Sequence, residues 1–522
     1  IILETRKSKS QQTKTRMLKI AFTLAVILSN AHQTASNVVV MRIKGDNYKT
    51  LSQTVDVRID LDGAAGFTGP KFVGVAIDAS FFREKWKYFD VYSKTVKSLA
   101  QGLSPSFLRM GGTAADFLIF NATAPGAKIC EICESDVSVE RQDKNFTMSG
   151  VDWERLNYLV ETASWDLIFD INVFLRKGNV WDPDNARKIF QFSQERGYKI
   201  PCFQLGNEPN AYYHDFKINI TSSQMVNDMQ ILRSVLSEFT QYRNSCIVGP
   251  EVTKVTKGSG RDYLEGFLQA GGQNIVAAAT LHHYYFNVET KGASVSDFVN
   301  ATILDSLNEE LQIGTSIVHR YGPSLPVWLS ETSSVSGGGL AGVSNGYAAG
   351  FMWLDKLGLS ALYGLRTVIR QTFYHGNYAL IGDDLTPNPD YFLTVLYKRL
   401  VQGPVLRVQT SGEMVRIYAH CSNPDRYSRG AMTVYALNLH NEPVTLNLSQ
   451  FRGQTLHLYM LVPGDHHGLR SKFVALNGKR LEMVDHDLPP MPPEVRSGPV
   501  TMAPYSFGFI VIPQADVKIC QS

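Results

Sequence analysis

Two glutamates close short apolar runs and could share one chemistry. The first ends Cys202-Phe203-Gln204-Leu205-Gly206-Asn207-Glu208 and is followed by Pro209-Asn210. The second ends Val327-Trp328-Leu329-Ser330-Glu331 and is followed by Thr332. Two carboxyls in one cleft are the minimum equipment for hydrolysing a glycosidic bond. One, held protonated, donates to the leaving oxygen, while the other, ionised, attacks the anomeric carbon, with about 5–5.5 Å between them when configuration is retained. An isolated acid at a strand end is as often a salt-bridged rim residue. The reading therefore rests on the pair and on the Asn-Glu-Pro context.

Glu208 and Glu331 become partners only if the elements that carry them converge. Apolar strands fall at 72–78, 107–112, 167–173, 202–208, 246–251, 278–285, 327–332 and 367–373. Between them run helical patterns such as 223–242, where Met225, Met229, Leu232, Val235, Leu236 and Phe239 recur at helical spacing, and 351–363. Strand–helix alternation repeated eight times predicts an α/β (β/α)8 TIM barrel, whose catalytic groups sit at the carboxyl ends of strands. After about residue 402 the pattern becomes alternating strands (415–420, 432–439, 507–512) punctuated by Asn, Gly and Pro, which predicts a C-terminal β-sandwich. The expected division is 1–36 leader, 37–71 strands joining the sandwich, 72–401 catalytic barrel and 402–522 sandwich.

Met17, Lys19, the apolar 20–28 and the small residues Thr34, Ala35 and Ser36 read as a secretory signal, with 1–16 as an untranslated-like tail. Residues 1–36 hold six of the 51 Lys and Arg and one of the 48 Asp and Glu, so the remainder carries 45 against 47 and is not basic overall. That balance gives no expectation of nucleic acid as partner, and attraction to a sulfated polymer must come from local clusters. No later apolar run reaches the roughly 20 residues of a membrane span. In a secreted chain, Cys421 and Cys520 are expected to staple the C-terminal region. Cys130 and Cys133 could close on each other, and Cys202 and Cys246 suit either a bridge or two buried thiols. Sequons at Asn121, Asn145, Asn219, Asn300 and Asn447 are candidate glycosylation sites. His282-His283 and His466-His467 are adjacent rather than one helical turn apart, so neither a metal nor any other cofactor is expected.

These residues also carry a family likeness. Gly206-Asn207-Glu208-Pro209-Asn210, Trp328-Leu329-Ser330-Glu331-Thr332 with Gly337-Gly338-Gly339, and His282-His283-Tyr284-Tyr285 resemble the heparanase family, glycoside hydrolase family 79. The likeness extends through Arg109-Met110-Gly111-Gly112-Thr113 and 350–361. It implies a retaining endo-β-glucuronidase acting on heparan sulfate, with Glu208 as acid/base and Glu331 as nucleophile. It places substrate contacts at Asp78, Thr113, Asn207, His282, Tyr284, Gly337, Gly338, Gln371, Gly376 and Tyr378. Chemistry agrees at several of these: His282 and Tyr284 are two apart on one strand and can both face the barrel mouth, where Tyr284 could orient Glu331. Asp78 could equally cap a backbone amide.

Departures from the family pattern bear on substrate. The basic loop after the fifth strand is reduced to Lys254, Lys257 and Arg261, and a substrate-contacting arginine position falls on Glu289. The segment 121–150, which matches the family's excised linker, is short, with Arg141 and Lys144 remaining of a basic cluster. The chain is expected to work uncut as a monomer, or as a non-covalent heterodimer if the linker is cleaved. A leech-type hyaluronidase of the same family, cutting an unsulfated glucuronic-acid polymer, is the alternative. An inactive glycan-binding decoy is a third reading, against which both retained acids argue.

Overall fold

The computed structural model describes residues 53–86, 89–126, 144–288, 292–412 and 414–521. The expected leader, Cys130, Cys133, Arg141 and Glu289 lie outside the described residues.

A strand β1 (Gln53–Thr68) precedes eight parallel strands that close into a barrel: β2 (Val73–Asp78), β3 (Ser106–Gly111), β4 (Trp165–Ile171), β5 (Cys202–Leu205), β6 (Cys246–Val252), β7 (Ala278–Asn287), β8 (Val327–Ser336) and β9 (Thr367–Arg370). A helix follows each: α1 (Lys94–Gln101), α2 (Gly150–Ala163), α3 (Asp184–Glu195), α4 (Ser222–Glu238), α5 (Ser259–Gln269), α6 (Ala301–Tyr321), α7 (Ala349–Leu362) and α8 (Pro389–Leu400). Local chemistry starts several of them. Ser149 with Asp152, and Thr221 with Gln224, form capping boxes at α2 and α4, while Pro389 opens α8 at a position where a missing N–H is harmless.

Helix α4 is shorter than its periodicity predicts. It ends at Glu238 because Phe239 turns to extended backbone, and Phe239 and Tyr242 instead pack with Phe190 in an aromatic cluster. Strand β5 also stops early, at Leu205, whereas β8 runs on to Ser336 by pairing with β7 as far as Asn287.

The remaining strands include β10 (Val401–Thr410), β11 (Val415–Ser422), β12 (Met432–Asn438), β13 (Val444–Asn447), β14 (Leu456–Pro463) and β15 (Ser506–Ile512). They belong to one continuous sheet, in which β1 pairs antiparallel with β10 and parallel with β13. The sheet curls so that strands distant in pairing order share a core, and the two layers of the expected sandwich come from this single sheet. Along these strands the residues alternate, and Ile417, Ala419, Val434, Ala436, Leu446, Leu458 and Ile510 all face that inner core. Tyr418, Tyr435, Phe507 and Phe509 point the other way and pack into the barrel's core. Helix α7 meets this aromatic face at Gly358, where an added Cβ would lie 2.5 Å from the Tyr418 ring, so only glycine permits the approach.

Two disulfides are formed among the described residues. Cys421–Cys520 ties β11 to the C-terminal end, with Cα atoms 5.3 Å apart. Cys202 and Cys246, left open between bridge and thiols by the sequence, stand directly opposite each other on β5 and β6 and are bridged, with Cα atoms 4.4 Å apart. No described helix is long and apolar enough to cross a membrane.

Candidate active site

Glu208 sits just past the end of β5, in a loop that the backbone bends sharply. Gly206 at φ 79° begins the bend, and a Cβ there would come within 2.6 Å of the Tyr212 hydroxyl and 2.8 Å of Val173. Glu208 itself has φ 55°, in the left-handed region unusual for a residue with a side chain. It is held there by its amide, which donates to the Glu251 carbonyl at 3.0 Å, and by its carbonyl, which accepts from Ala211. Asn207 is anchored from behind by Tyr212 and Asp116, which accept from its amide at 2.9 and 3.3 Å.

Glu331 lies within β8, beside His282 of β7 in the strand register. The register slips between Leu281 and His282, between Leu329 and Thr332, and between Gly249 and Val252. Bulges of this kind re-aim side chains, and here all three occur where carboxylates and His282 must turn into the barrel mouth.

The result is one connected group. Buried Arg109, on β3, donates to Glu331 Oε2 at 2.7 Å, Asn207 Oδ1 at 2.7 Å and Gln204 Oε1 at 2.9 Å, and pairs with Glu251 at 3.1 Å. The Tyr284 hydroxyl donates to the other oxygen of Glu331 at 2.7 Å. His282 bridges two acids, Nδ1 with Glu208 at 2.8 Å and Nε2 with Glu251 at 2.8 Å. Oxygens of Glu208 and Glu331 lie within 4.8 Å of each other.

Electrostatics fixes the charge on Glu331. Burial alone would raise the Glu331 carboxyl, but His282, Arg109 and the Tyr284 hydrogen bond outweigh it and hold Glu331 below the ordinary carboxylate value. Glu251 is lowered likewise, by Arg109 and His282 acting against burial. His282 is pushed up to about 10, because Glu331, Glu208 and Glu251 overcome its desolvation. Asp170, also beside Arg109, goes the other way, to about 8, since burial dominates and neither of its oxygens has a hydrogen-bond partner among the described residues. Near neutrality Arg109 and His282 are thus cations facing ionised Glu331 and Glu251. The Glu208 side chain is 29% exposed against 11% for Glu331, so it is the more open of the pair.

Other expected site residues gather around Glu331. Asp78 and Tyr378 are within electrostatic reach of it. Asp78 Oδ1 does cap a backbone amide, that of Ser80, at 2.9 Å. Gln371 is buried with Oε1 unpartnered, and Tyr284 and Tyr378 rings stand 6.4 Å apart. Gly337, Gly338 and Gly376 all have positive φ, and their loops are joined where Asn377 N donates to Gly338 O at 2.7 Å. Thr113 is exposed at the start of the turn after β3. Lys254 is half-buried and Lys257 exposed, on a loop after β6 that Glu310 grips through the amides of Val255 and Thr256. Asn210 ties this loop to the Glu208 loop through Thr253, at 2.7 and 3.1 Å.

Arg109, Glu251, Gln204 and Asp170 were not singled out by type and spacing. The signal available was a charged or amide side chain inside an otherwise apolar barrel strand. Glu208, His282 and Glu331 also have the mutual spacing of a metal site, unanticipated in the sequence. Their ligand atoms already satisfy one another: both His282 nitrogens are engaged by acids, and Glu331 by Arg109 and Tyr284.

A barrel mouth that sets an ionised carboxylate opposite a second, more open one asks for no further reagent to split an acetal but water. The chain is a glycoside hydrolase on a (β/α)8 barrel. The family follows from comparison with known proteins. A model of the glycosyl hydrolase family 79 N-terminal domain matches residues 80–358, and the chain belongs to that family. It is similar to heparanase of Gallus gallus, 34% identical over 90% of this chain and 97% of that protein. It is also similar to hyaluronoglucuronidase of Hirudo nipponia, 33% identical over 90% of this chain and 99% of the other. Inactive heparanase-2 of Mus musculus is 30% identical over 86% and 87%.

Proposed function

We propose that the chain is a retaining endo-β-glucuronidase that cleaves heparan sulfate by double displacement. The observation that carries the mechanism is the pair of carboxylates within 4.8 Å, one of them charge-clamped. A separation near 5 Å suits direct attack and leaves no room for the intervening water an inverting enzyme needs. Glu331, kept ionised by Arg109 and His282, is the nucleophile, and Glu208 is the acid and then the base. Tyr284 steadies Glu331 until its charge is spent on the anomeric carbon. Asn207, oriented by Arg109, offers its amide N–H to the hydroxyl adjacent to that carbon, where contacts tighten in the transition state. Gln371 Oε1 is free to accept a sugar hydroxyl, and the amides around Gly337, Gly338, Gly376 and Tyr378 suit a uronate carboxylate. Asp78 and Thr113 complete the contact set, and Lys254 and Lys257 meet sulfate.

Heparan sulfate is preferred because the second histidine of His282-His283 and the Gly337-Gly338-Gly339 run take the heparanase form. Glu289 and the thin basic loop favour hyaluronan instead, and near-equal identity to the two active relatives does not choose between them. The enzyme works as a single secreted glycoprotein chain, extracellular or lysosomal. Two disulfides and the exposed sequon residues Asn121, Asn145, Asn219 and Asn300 support this. Asn447 is less open, its amide donating to Asp56 at 2.7 Å.

Product sizing after incubation with heparan sulfate and, separately, hyaluronan at mildly acidic pH tests the reading. Shortening of hyaluronan alone would overturn the substrate and spare the mechanism, and shortening of neither would favour a binding protein. Glu331→Ala should abolish turnover of an activated aryl substrate that Glu208→Ala still cleaves, because that leaving group needs no proton.

A further inference from the structure

We infer that Glu251 is a positioning residue for both catalytic carboxylates, holding the proton donor through His282 and the nucleophile through Arg109. The inference rests on the proposed roles of Glu208 and Glu331.

Glu251 is the penultimate residue of β6, at φ 58°, in the same left-handed region as Glu208, and is fully buried. Its amide donates to Thr280 Oγ1 at 2.8 Å, and its carbonyl accepts the Glu208 amide, so its backbone alone fixes the bend that presents the acid. A non-glycine residue held at positive φ, deep in a catalytic barrel, persists only when its surroundings determine it strongly. Its side chain goes further. One oxygen, Oε2, takes His282 Nε2 at 2.8 Å, Ser330 Oγ at 2.9 Å and Arg109 Nη2 at 3.1 Å. The far sides of those same groups reach the chemistry: His282 Nδ1 touches Glu208, and Arg109 Nη1 touches Glu331. Ser330 is the chain neighbour of Glu331.

A ring that hydrogen-bonds through both nitrogens has its orientation set by whichever partner is more rigid. Here that is Glu251, enclosed in the barrel, rather than the partly exposed Glu208. Glu251 thus does for His282 what a buried carboxylate does in a hydrolytic triad, fixing the ring plane and stabilising its protonated form so that Nδ1 meets the acid. The charged and titratable groups facing Glu251 are Arg109 from β3, Asp170 from β4, Glu208 after β5, and His282 from β7. Glu331 on β8 lies just beyond, across Arg109. Removing the Glu251 charge withdraws an anion that favours the proton on His282, which should then be released at lower pH.

The test is Glu251→Gln, nearly isosteric and uncharged. On a polymer or a poorly activated aryl β-glucuronide, kcat should fall about 10²-fold with KM little changed, the loss expected of a small misplacement of reacting groups. The alkaline limb of the kcat/KM–pH profile should move down by about one pH unit, the size of a close charge's effect. A purely structural role would lower the melting temperature without moving that limb. If Glu251→Gln does not fold, Glu251→Asp, which keeps the charge but withdraws it by one methylene, should still lose turnover. Glu331→Ala and Glu208→Gln are measured alongside. If neither lowers turnover, the proposed roles fail and this inference falls with them. If both do, while Glu251→Gln keeps kcat and the alkaline limb of the unmutated enzyme, or a lone folded Glu251→Asp keeps its rate, Glu251 is not a positioning residue.

Discussion

Tyr284→Phe removes one oxygen and leaves the ring, with its place beside Tyr378, intact. The lost interaction is a hydroxyl donating to Glu331 Oε1 at 2.7 Å, a hydrogen bond to a charged acceptor in a buried site. Bonds of that kind contribute about 1.5–3 kcal/mol, and a tenfold change in an acid's ionisation constant corresponds to about 1.4 kcal/mol, so the Glu331 pKa should rise by about 1–2. The sign follows from the forces on Glu331. Burial pushes it up, His282, Arg109 and Tyr284 pull it down, and deleting one of the latter lets burial regain ground. A nucleophile must be ionised, so the acid limb of kcat/KM, measured with an activated aryl β-glucuronide, should move to higher pH by that amount, while the alkaline limb moves less. An unmoved acid limb would mean either that Glu331 is not the group titrating there or that Arg109 and His282 alone suffice to hold its charge. Adding His282→Gln to Tyr284→Phe separates these, since the acid limb then moves if Glu331 titrates there and stays if it does not.

Three further predictions concern stability. Asp170 is pushed up to about 8 by burial, above its unfolded value of about 3.9, so its contribution is full below that lower value and is lost as pH rises toward 8. Asp170→Asn cannot titrate, and its melting temperature relative to the unmutated protein should improve steadily between those limits; a pH-independent difference would mean Asp170 is already ionised in the fold. Gly358→Ala forces a methyl against the Tyr418 ring and should destabilise by about 1–3 kcal/mol in thermal unfolding, with kcat of the folded protein unchanged. Replacing both Cys421 and Cys520 by Ser opens a loop spanning 99 residues and should cost about 4 kcal/mol, read as a lowered denaturant midpoint.

The barrel was legible because each strand is a short apolar run and each helix keeps its own period, and both signals are local. Glu208 and Glu331, the two glutamates proposed as catalytic, were legible for the same reason, as acids ending such runs. Glu251 ends its run in the same way as Glu208, and nothing in the run distinguishes it; its role depends on Arg109 and His282, which lie far away in sequence. Arg109 and Asp170 are charges inside apolar strands, a pattern that signals a buried network without naming its members. The slips of register at His282, Glu251 and Glu331 were not legible at all, because a bulge depends on two strands together. The early end of β5 was hidden likewise, since Gly206 marks a bend only once Tyr212 and Val173 crowd it.

This division of signals separates mechanism from specificity. Arg109 ties the buried groups beside Glu331 into one network, so it cannot shift without disturbing Asn207, Gln204, Glu251 and Glu331 together. Such a core tolerates little change and suits one reaction, in the reading proposed above retaining hydrolysis beside a uronate. The loops at the rim are built differently: Lys257 is exposed and Lys254 half-buried on a loop that Glu310 grips at the Val255 amide and Asn210 at Thr253, neither of them through a lysine. A residue there can be exchanged at little structural cost, because what holds the loop does not depend on it. A choice between a sulfated and an unsulfated polymer can therefore be made by a few rim charges over an unchanged core, which is why the substrate must be measured while the chemistry can be argued from the buried residues.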